Sequence, residues 1–268
     1  MTTGAIATRL PRLGESATRP DATPKVLGEF AFGNDLRADG MLWGKTLRSP
    51  HPSARIVSID ISAALAINGV AAVLTAADVP GKATYGLETS DQPVFASDVV
   101  RYMGEPIAVV AADDVETARR AIAAIEVVYE CNSPLVDPDR SVESDPIHPD
   151  GNVFRHLVIR HGDPSVVGEM TVEGTYEVGM QDQAFMGPES GLAIPDEDGG
   201  VELFISTQFL HVDRDQTAAC LGLPPNKVRA TVAGTGGAFG GREDICLQVH
   251  VCMLALHTGR PEIGRAHV

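Results

Sequence analysis

The segment PIAVVAA at residues 106–112 constrains the fold more than any other part of the sequence. A run of seven apolar residues has no polar face to turn towards solvent, so it predicts a strand covered on both faces. Asp113 and Asp114 follow it and can cap a helix, because carboxylates accept hydrogen bonds from the free N–H groups of a first helical turn. Residues 115–126 then place apolar side chains on one side of a helix: Ala118, Ala121, Ile122 and Ile125.

Strands and short helices alternate through the first half of the chain. Residues 54–62, 63–68 and 70–75 predict a strand, a short helix and a second strand. After the helix at residues 115–126, residues 127–130 predict the strand that returns. The pattern therefore predicts two β-α-β units, which together form a small α/β domain.

The pattern changes in the second half of the chain. Residues 131–168 are rich in Pro, Asp and Ser, which is typical of a linker, and a second, α+β domain is predicted from near Met170. The turn at residues 196–200 predicts a hairpin. The strands are predicted at residues 170–178, 191–207 and 227–234, and the helices at residues 215–223 and 244–261.

Composition excludes several classes of function. The chain of 268 residues has a net charge of −15 and no cluster of Lys and Arg, so nucleic acid is not an expected partner. No run of about eighteen apolar residues occurs, so no membrane span is predicted. The four cysteines form no C-x-x-C pair, which predicts free thiols, no metal site and a reducing cytoplasmic location.

The most unusual stretch is the glycine-rich loop GTGGAFGGRED at residues 234–244. A dinucleotide fingerprint is excluded because Phe239 stands where its third glycine is needed. A phosphate-binding P-loop is excluded because Arg242 and Glu243 replace its lysine and its hydroxyl residue. Two interpretations remain: a tight turn with Phe239 in the core, or a loop whose backbone presses against a bulky flat ligand. In the second, the following helix N-terminus would favour an anionic group.

Other polar residues give weaker signals. His211, Asp213 and Asp215 lack the spacing of a metal site, so capping and solvation are expected for them. His250 and His257 lie seven residues apart on the last predicted helix, where packing is expected rather than ligation.

The stretch GGAFGGRE resembles the Gly-Gly-Gly-Phe-Gly-Gly-Lys-Glu motif of the molybdenum hydroxylases, the xanthine dehydrogenase and aldehyde oxidase family. The resemblance continues, in order, through most of the chain. The family's α/β hammerhead domain is resembled by LRSPHPSARI, GVAAVLTAADVPG and YMGEPIAVVAADDVETARRAIAAIEVVYE. The start of its molybdopterin-binding domain is resembled by MTVEGTYEVGMQDQAFMGPESGLAI and ISTQFLHVDRDQTAACLGLPPNKVR.

The resemblance implies an α+β fold with the following division. A flexible lead is expected at residues 1–23, the hammerhead domain at 24–135, a linker at 136–168, and the first part of the molybdopterin-binding domain at 169–261. The last residues, EIGRAHV at 262–268, break the family pattern and match the translation of a sequencing adapter, so we expect them to be foreign.

Two residues are expected to be catalytic by resemblance. Gln208 matches a glutamine whose side-chain amide donates a hydrogen bond to a molybdenum oxo ligand. Glu243 matches an acid that contacts the heterocycle in purine-oxidising members and stabilises charge in the transition state. From residue types alone, Gln208 is more often a surface polar residue at a strand end. Even within the family, charge compensation at a helix N-terminus is an equal alternative for Glu243.

The loop itself is expected to hold the cofactor. By resemblance, Phe239 and Gly240 pack beside the metal centre, and Gly237 and Gly241 keep the backbone close to it. Arg242 stands where the family has lysine, which retains the charge but changes the hydrogen-bond geometry.

A second departure lies at Gly187, because many relatives have Met-Glu-Pro where this chain has Met-Gly-Pro within GPES. The missing acid weakens an aldehyde oxidase assignment and favours the separate molybdenum subunits of bacterial xanthine dehydrogenases.

The resemblance therefore implies an oxidoreductase of purine breakdown that oxidises hypoxanthine, xanthine or a related N-heterocycle with oxygen from water. Its cofactor is expected to be a molybdenum–pterin, as molybdopterin or its cytosine dinucleotide. Iron–sulfur and FAD subunits are the expected partners in a hetero-oligomer. The chain is expected to be an inactive N-terminal fragment without the general-base glutamate. The alternatives are an aldehyde or carbon monoxide oxidising member, or a non-catalytic binding or assembly module.

Overall fold

The computed structural model describes residues 13–17, 19–163 and 165–265. Most of the predicted lead at residues 1–23 lies outside the described residues. Short 3-10 turns occur at Gly33–Asp35, Ala76–Asp78 and Pro225–Lys227. The helices are α1 Ala22–Leu27, α2 Ser62–Leu65, α3 Val115–Ala124, α4 Pro138–Ser141, α5 Leu210–Leu221 and α6 Gln248–Thr258. The strands are β1 Leu42–Arg48, β2 Ala54–Asp60, β3 Val70–Thr75, β4 Thr84–Tyr85, β5 Gln92–Pro93, β6 Val99–Val100, β7 Pro106–Ala112, β8 Glu126–Cys131, β9 Ser190–Pro195, β10 Val201–Ile205, β11 Val228–Val232 and β12 Glu262–Arg265.

A seven-stranded sheet runs through both halves of the chain, in the order β11-β10-β9-β12-β1-β7-β3. Its pairs are antiparallel except β1 with β12 and β10 with β11. One core cluster contains side chains from both halves, including Leu42, Phe95, Leu203 and Leu254. The two predicted domains are therefore joined by a shared sheet and a shared core.

The predicted β-α-β units are wrong in their pairing. The strands on either side of α2 lie in different sheets: β2 belongs to the sheet β6-β2-β8, whereas β3 pairs antiparallel with β7. The strands on either side of α3 are divided in the same way. Periodicity along the chain locates a strand but does not say which sheet it joins.

The buried strand at residues 106–112 and the capped helix that follows it are confirmed. Every residue of β7 is buried. The Asp114 side chain caps α3, because its Oδ1 accepts a hydrogen bond of 2.8 Å from the Thr117 N–H. Ala118 and Ala121 are fully buried on the inner side of the helix. This part of the fold follows directly from its local sequence.

The predicted strand at residues 170–178 is absent, although its apolar and polar residues alternate. Met170, Val172, Tyr176 and Val178 are each more than 80% exposed, with values of 85%, 84%, 91% and 87%. A strand is stabilised by hydrogen bonds and side-chain pairs with a neighbour, and no other strand pairs with this segment within the described part of the chain. Alternation alone therefore does not make this segment a strand.

The last helix begins four residues later than predicted. The Gln248 Oε1 accepts hydrogen bonds from the N–H groups of Cys246 and Leu247, at 2.8 and 2.9 Å. Asp244 accepts one from the Ile245 N–H at 2.8 Å. These side chains hold residues 244–247 outside the helix, so α6 starts at Gln248, four residues beyond the end of the glycine-rich loop. Helix α5 starts at Leu210, five residues before its predicted start.

Strand β12 lies at the centre of the large sheet, between β9 and β1. Its Glu262 is fully buried, and neither carboxylate oxygen has a hydrogen-bond partner among the described residues. Gly44 lies on the neighbouring strand β1, paired with Gly264, and a side chain at Gly44 would collide with the Glu262 carboxylate. The expectation that residues 262–268 are foreign stays a prediction; residues 266–268 lie outside the described residues.

Candidate functional site

The glycine-rich loop leaves the end of β11 beside the end of β10. The Ala233 N–H donates to the Ile205 carbonyl at 2.9 Å, and the Ser206 hydroxyl donates to the Gly234 carbonyl at 2.8 Å. On the other side, Gly234 forms a parallel bridge with Phe32. The loop therefore starts from a fixed point at the sheet edge and returns to the core at Ile245.

The tip of the loop has an unusual backbone conformation. Gly237 and Gly240 have φ angles of +107° and +83°, and Phe239 between them has a φ of +49°. Among the described residues only Ala184, with a φ of +50°, is another non-glycine residue in this region. Such residues cost roughly 1–3 kcal/mol each and cluster at functional sites. The Phe239 side chain is 77% exposed, so the interpretation that places it in the core is wrong.

The loop tip carries free hydrogen-bond donors. The Gly241 N–H donates to the Ala238 carbonyl at 2.9 Å. Within the described chain, the N–H groups of Ala238, Phe239 and Gly240 donate to no protein acceptor. Successive free amides in a turn bind negatively charged or oxygen-rich groups. The tip can therefore hold a ligand rich in acceptor atoms, with an aromatic ring beside it.

The GPES segment (residues 187–190) supports the loop from one side. The Gly187 N–H donates to the Gly236 carbonyl at 3.3 Å. A Cβ on Gly187 would lie 2.8 Å from the Gly236 Cα, and a Cβ on Gly236 would lie 2.6 Å from the Gly187 Cα. The two backbones can approach so closely only because both residues are glycine.

Arg242 lies beneath the loop, with its side chain 2% exposed. Its Nε donates to the Gly237 carbonyl at 2.9 Å, and its Nη2 donates to the Gly187 carbonyl. Its Nη1 lies 2.9 Å from the Glu189 Oε1, and its guanidinium stacks over the Phe185 ring at 4.3 Å. In the structure the Arg242 guanidinium contacts protein groups, and the expectation that Arg242 binds the cofactor stays a prediction.

The two residues expected to be catalytic lie beside the loop. The Gln208 N–H donates to the Arg242 carbonyl at 3.1 Å, and its side chain is exposed. The Glu243 side chain is also exposed, and its Oε1 lies 3.9 Å from the Cβ position of Gly240. Because α6 begins only at Gln248, Glu243 is not in a helical first turn. The predicted residues therefore occupy one contiguous region, with both polar side chains free to contact a ligand.

Several buried polar residues behind the loop were not predicted from the sequence. The Cys246 thiol donates to the Glu189 Oε2 at 2.9 Å, and the Gln248 amide donates to the Asp213 Oδ2 at 2.9 Å. Burial raises the pKa of the Cys246 thiol and of Asp213. Asp213 is fully buried rather than solvated as expected. Glu189 lies in the GPES segment, which the sequence had already singled out. No sequence pattern pointed to the buried contacts of Cys246, Gln248 and Asp213.

The two histidines of the last helix, His250 and His257, differ in their burial. His250 packs as predicted: its ring stacks on Phe95 at 4.6 Å, and its Nε2 lies 2.8 Å from the Val94 carbonyl. Burial lowers the pKa of His250 to about 4. His257 is exposed, so it does not pack in the core, and its packing at an interface stays a prediction. Among the described residues, no group of three or more His, Cys, Asp and Glu side chains could hold a metal ion.

Comparison with known proteins identifies two family models. Residues 27–133 match the aldehyde oxidase and xanthine dehydrogenase a/b hammerhead domain, and residues 147–262 match the molybdopterin cofactor-binding domain. No described helix has the length and apolar character needed to cross a bilayer.

Individual relatives agree with these models. A protein of Bacillus subtilis (strain 168), named as a probable subunit of xanthine dehydrogenase, is 38% identical over 251 residues, covering 92% of this chain and 34% of its own length. The nicotinate dehydrogenase large molybdopterin subunit of Eubacterium barkeri is 37% identical over 254 residues, covering 93% and 60%. The solved aldehyde oxidoreductase of Desulfovibrio gigas has a TM-score of 0.84 and 28% identity, covering 92% and 29%. The chain thus spans about one third to three fifths of the length of these curated relatives.

Proposed function

Because the chain belongs to the aldehyde oxidase and xanthine dehydrogenase family of molybdenum-dependent oxidoreductases, we propose that it is part of a catalytic subunit that oxidises a purine or a related N-heterocycle. The observation that carries the proposal is the exposed loop tip, with three free N–H groups and the ring of Phe239. When bound, the molybdenum–pterin group supplies a two-electron oxidation in which the oxygen comes from water.

The residues around the loop tip fit such a group. Ala238, Phe239 and Gly240 offer N–H donors to its acceptor atoms, and the absence of a side chain at Gly240 leaves the backbone there open to a large planar ligand. Gln208 can donate from its side-chain amide without adding charge to the site. The fit rests on donor chemistry and exposure, and both are properties of this chain.

Glu243 is the residue that favours an N-heterocycle as substrate. Its exposed carboxylate beside Gly240 can accept a hydrogen bond from a ring N–H and stabilise positive charge on the ring. The curated relatives support this, since their names contain xanthine and nicotinate, which are both N-heterocycles. Gly187 adds a second reason, because it replaces the acid that many relatives carry in Met-Glu-Pro.

An aldehyde is the second candidate substrate, because the solved relative is an aldehyde oxidoreductase. Carbon monoxide oxidation and a non-catalytic assembly role remain outcomes of the same experiment. Iron–sulfur and FAD subunits are proposed as partners in a cytoplasmic hetero-oligomer, which agrees with the naming of both curated relatives as subunits.

The test is to isolate the protein with its co-purifying subunits from a host that makes the cofactor. Molybdenum and pterin are measured, and the reduction of an artificial electron acceptor is followed with xanthine, hypoxanthine, nicotinate, benzaldehyde and carbon monoxide. We expect bound molybdenum–pterin and turnover of at least one heterocycle. Turnover of benzaldehyde or carbon monoxide alone would show that the substrate is an aldehyde or carbon monoxide and not an N-heterocycle. A metal-free protein would support an assembly role.

Glu243→Gln separates the proposed substrate contact from cofactor binding. The variant keeps the size of the side chain and removes its charge, so we expect the molybdenum content to stay unchanged and kcat/KM for the heterocycle to fall about 100-fold. Glu197→Gln is the matched control, because Glu197 is an exposed acid in the hairpin turn between β9 and β10. An unchanged kcat/KM in Glu243→Gln would remove this residue from the site.

A further inference from the structure

We propose that Glu189 is a positioning residue, which fixes the glycine-rich loop for the cofactor through a buried ion pair with Arg242. The inference rests on the proposed function for its ligand, but the pair itself is a property of the described chain. Glu189 and Arg242 are 53 positions apart, and their side chains are only 6% and 2% exposed. Neither residue is on the exposed surface that faces a ligand.

The Arg242 guanidinium connects the Glu189 side chain, the glycine-rich loop and the backbone of the GPES segment. One nitrogen faces the Glu189 carboxylate at 2.9 Å, a second donates to Gly237 at the start of the loop tip, and a third donates to Gly187. The N–H does not point along the line to Glu189, so this contact is an attraction between charges rather than an aligned hydrogen bond. Arg242 therefore holds the loop, and Glu189 supplies the charge that keeps Arg242 buried.

The Glu189 carboxylate is itself held in place. The Cys246 thiol donates to its second oxygen at 2.9 Å. The two oxygens thus have different partners, the thiol on one side and the guanidinium on the other. The chain of contacts runs from Cys246 at the return to the core, through Glu189 and Arg242, to the carbonyl of Gly237.

One end of this contact is a departure from the family motif, because Arg242 stands where the motif has lysine. The other end, Glu189, lies two positions after Gly187 in the GPES segment. A guanidinium can contact two carbonyls and a carboxylate at once because its donors form a planar fork, whereas an ammonium is a compact point charge. Arg242 uses this fork on the carbonyls of Gly237 and Gly187, and the Glu189 carboxylate is the buried charge that faces it.

The experiment uses the holoenzyme and four variants. Glu189→Gln and Arg242→Lys each disturb the pair with little change in size. The double variant Glu189→Leu/Arg242→Met removes both charges. Asp113→Asn is the matched control, because it breaks the exposed ion pair between Arg260 and Asp113, whose atoms lie 3.1 Å apart. The readouts are molybdenum and pterin per protein, amide hydrogen exchange of Gln208 and Gly241, and the thermal midpoint.

We expect Glu189→Gln and Arg242→Lys to lower cofactor content and to speed exchange of the two amides at least tenfold, while Asp113→Asn changes neither. The double variant should recover its thermal midpoint, because no buried charge is left unpaired. Its cofactor content and amide exchange should stay defective, because nothing then binds the loop carbonyls.

Two outcomes overturn the proposal. Wild-type amide exchange and cofactor content in Glu189→Gln would show that the charge is not needed. Recovery of both in the double variant would show that the pair only serves stability. If the wild-type protein carries no molybdenum–pterin, the proposed function fails, but amide exchange at Gln208 and Gly241 still tests the pair.

Discussion

Gly187 and Gly236 show how single residues define the site. Their backbones touch, so a methyl group on either would meet the Cα of the other at less than a normal contact distance. Neither residue has a positive φ, so another residue could adopt the backbone conformation at either position. A side chain there would instead displace the loop. The sequence singled out the glycine-rich loop and the departure at Gly187, but not the contact between Gly187 and Gly236, which lie 49 positions apart.

Gly187→Ala should therefore push the loop away from the GPES segment. We expect at least a tenfold loss of bound cofactor, accompanied by destabilisation of about 1–3 kcal/mol from overpacking. The measurements are molybdenum content and the thermal midpoint. Gly179→Ala is the matched control, since a Cβ at Gly179 meets no atom within 4 Å and its φ is not positive. Equal cofactor content in both variants would contradict the prediction.

His250 should make stability fall in acid. Burial lowers its folded pKa to about 4, below an ordinary value of 6.5. The unfolded chain therefore binds the proton more readily between these values, so stability is full above pH 6.5 and is lost as the pH falls towards 4. The contribution amounts to about 3 kcal/mol.

His250→Phe tests this pH dependence, because a phenyl ring can keep the stack on Phe95 but cannot titrate. The free energy of unfolding of the variant, measured between pH 4 and 7, should depend less on pH than that of the wild type. His257→Phe is the control, since His257 is exposed on the same helix. Parallel pH profiles for wild type and His250→Phe would refute the assignment.

At the scale of elements, β12 places an acidic residue, Glu262, in the core of the large sheet. Burial raises the pKa of Glu262 well above its usual range, and the described chain offers its oxygens no donor. The folded protein therefore keeps a proton that the unfolded chain releases above about pH 4.3. Stability should fall as the pH rises above that value, by at most about 1.4 kcal/mol per pH unit, until the folded pKa is passed.

Glu262→Val should remove this loss of stability at high pH, because valine has no titrating group and fits the apolar centre of the sheet. We expect its thermal midpoint to exceed that of the wild type at pH 7.5, with a smaller difference at pH 4.5, where the wild-type carboxyl is largely protonated in both states. Glu202→Val is a control on β10, since that side chain is one third exposed. An advantage that does not grow with pH would argue against a buried, titrating carboxyl.

Elements with a local signal were predicted, and elements that depend on distant partners were not. The apolar run of β7, the capped helix α3 and the β9–β10 hairpin each follow from neighbouring residues. The alternating segment at residues 170–178 forms no strand because no partner lies beside it in the described part of the chain. In the same way the loop and Gln208 were predicted from their own motifs, whereas Glu189 and Cys246 join the site only through contacts across 53 and 57 positions.

At the scale of the whole molecule, the shared sheet should make the two halves unfold together. One core cluster contains side chains of both halves, and strands from both halves are neighbours across β12. Trp43 is the single tryptophan and lies in β1 of the first half, while Cys252 is fully buried in α6 of the second half. Each half therefore has its own probe.

We expect one transition in denaturant. Trp43 fluorescence and the labelling of buried thiols by a thiol reagent should report the same midpoint, as a two-state transition requires. Cys131→Ser removes the exposed thiol, which would react before unfolding. Two separate midpoints would show that the halves are independent, and that the shared sheet does not couple them.

The central place of β12 also has a consequence for synthesis on the ribosome. Within the described part of the chain, residues 262–265 come after the other six strands of the large sheet, yet β9 and β1 are connected in the sheet only through them. Until those residues emerge, a nascent chain carries two partial sheets, each with an open edge that can pair with another chain. A chaperone that shields these two edges would therefore raise the yield of correctly joined protein without altering its final stability.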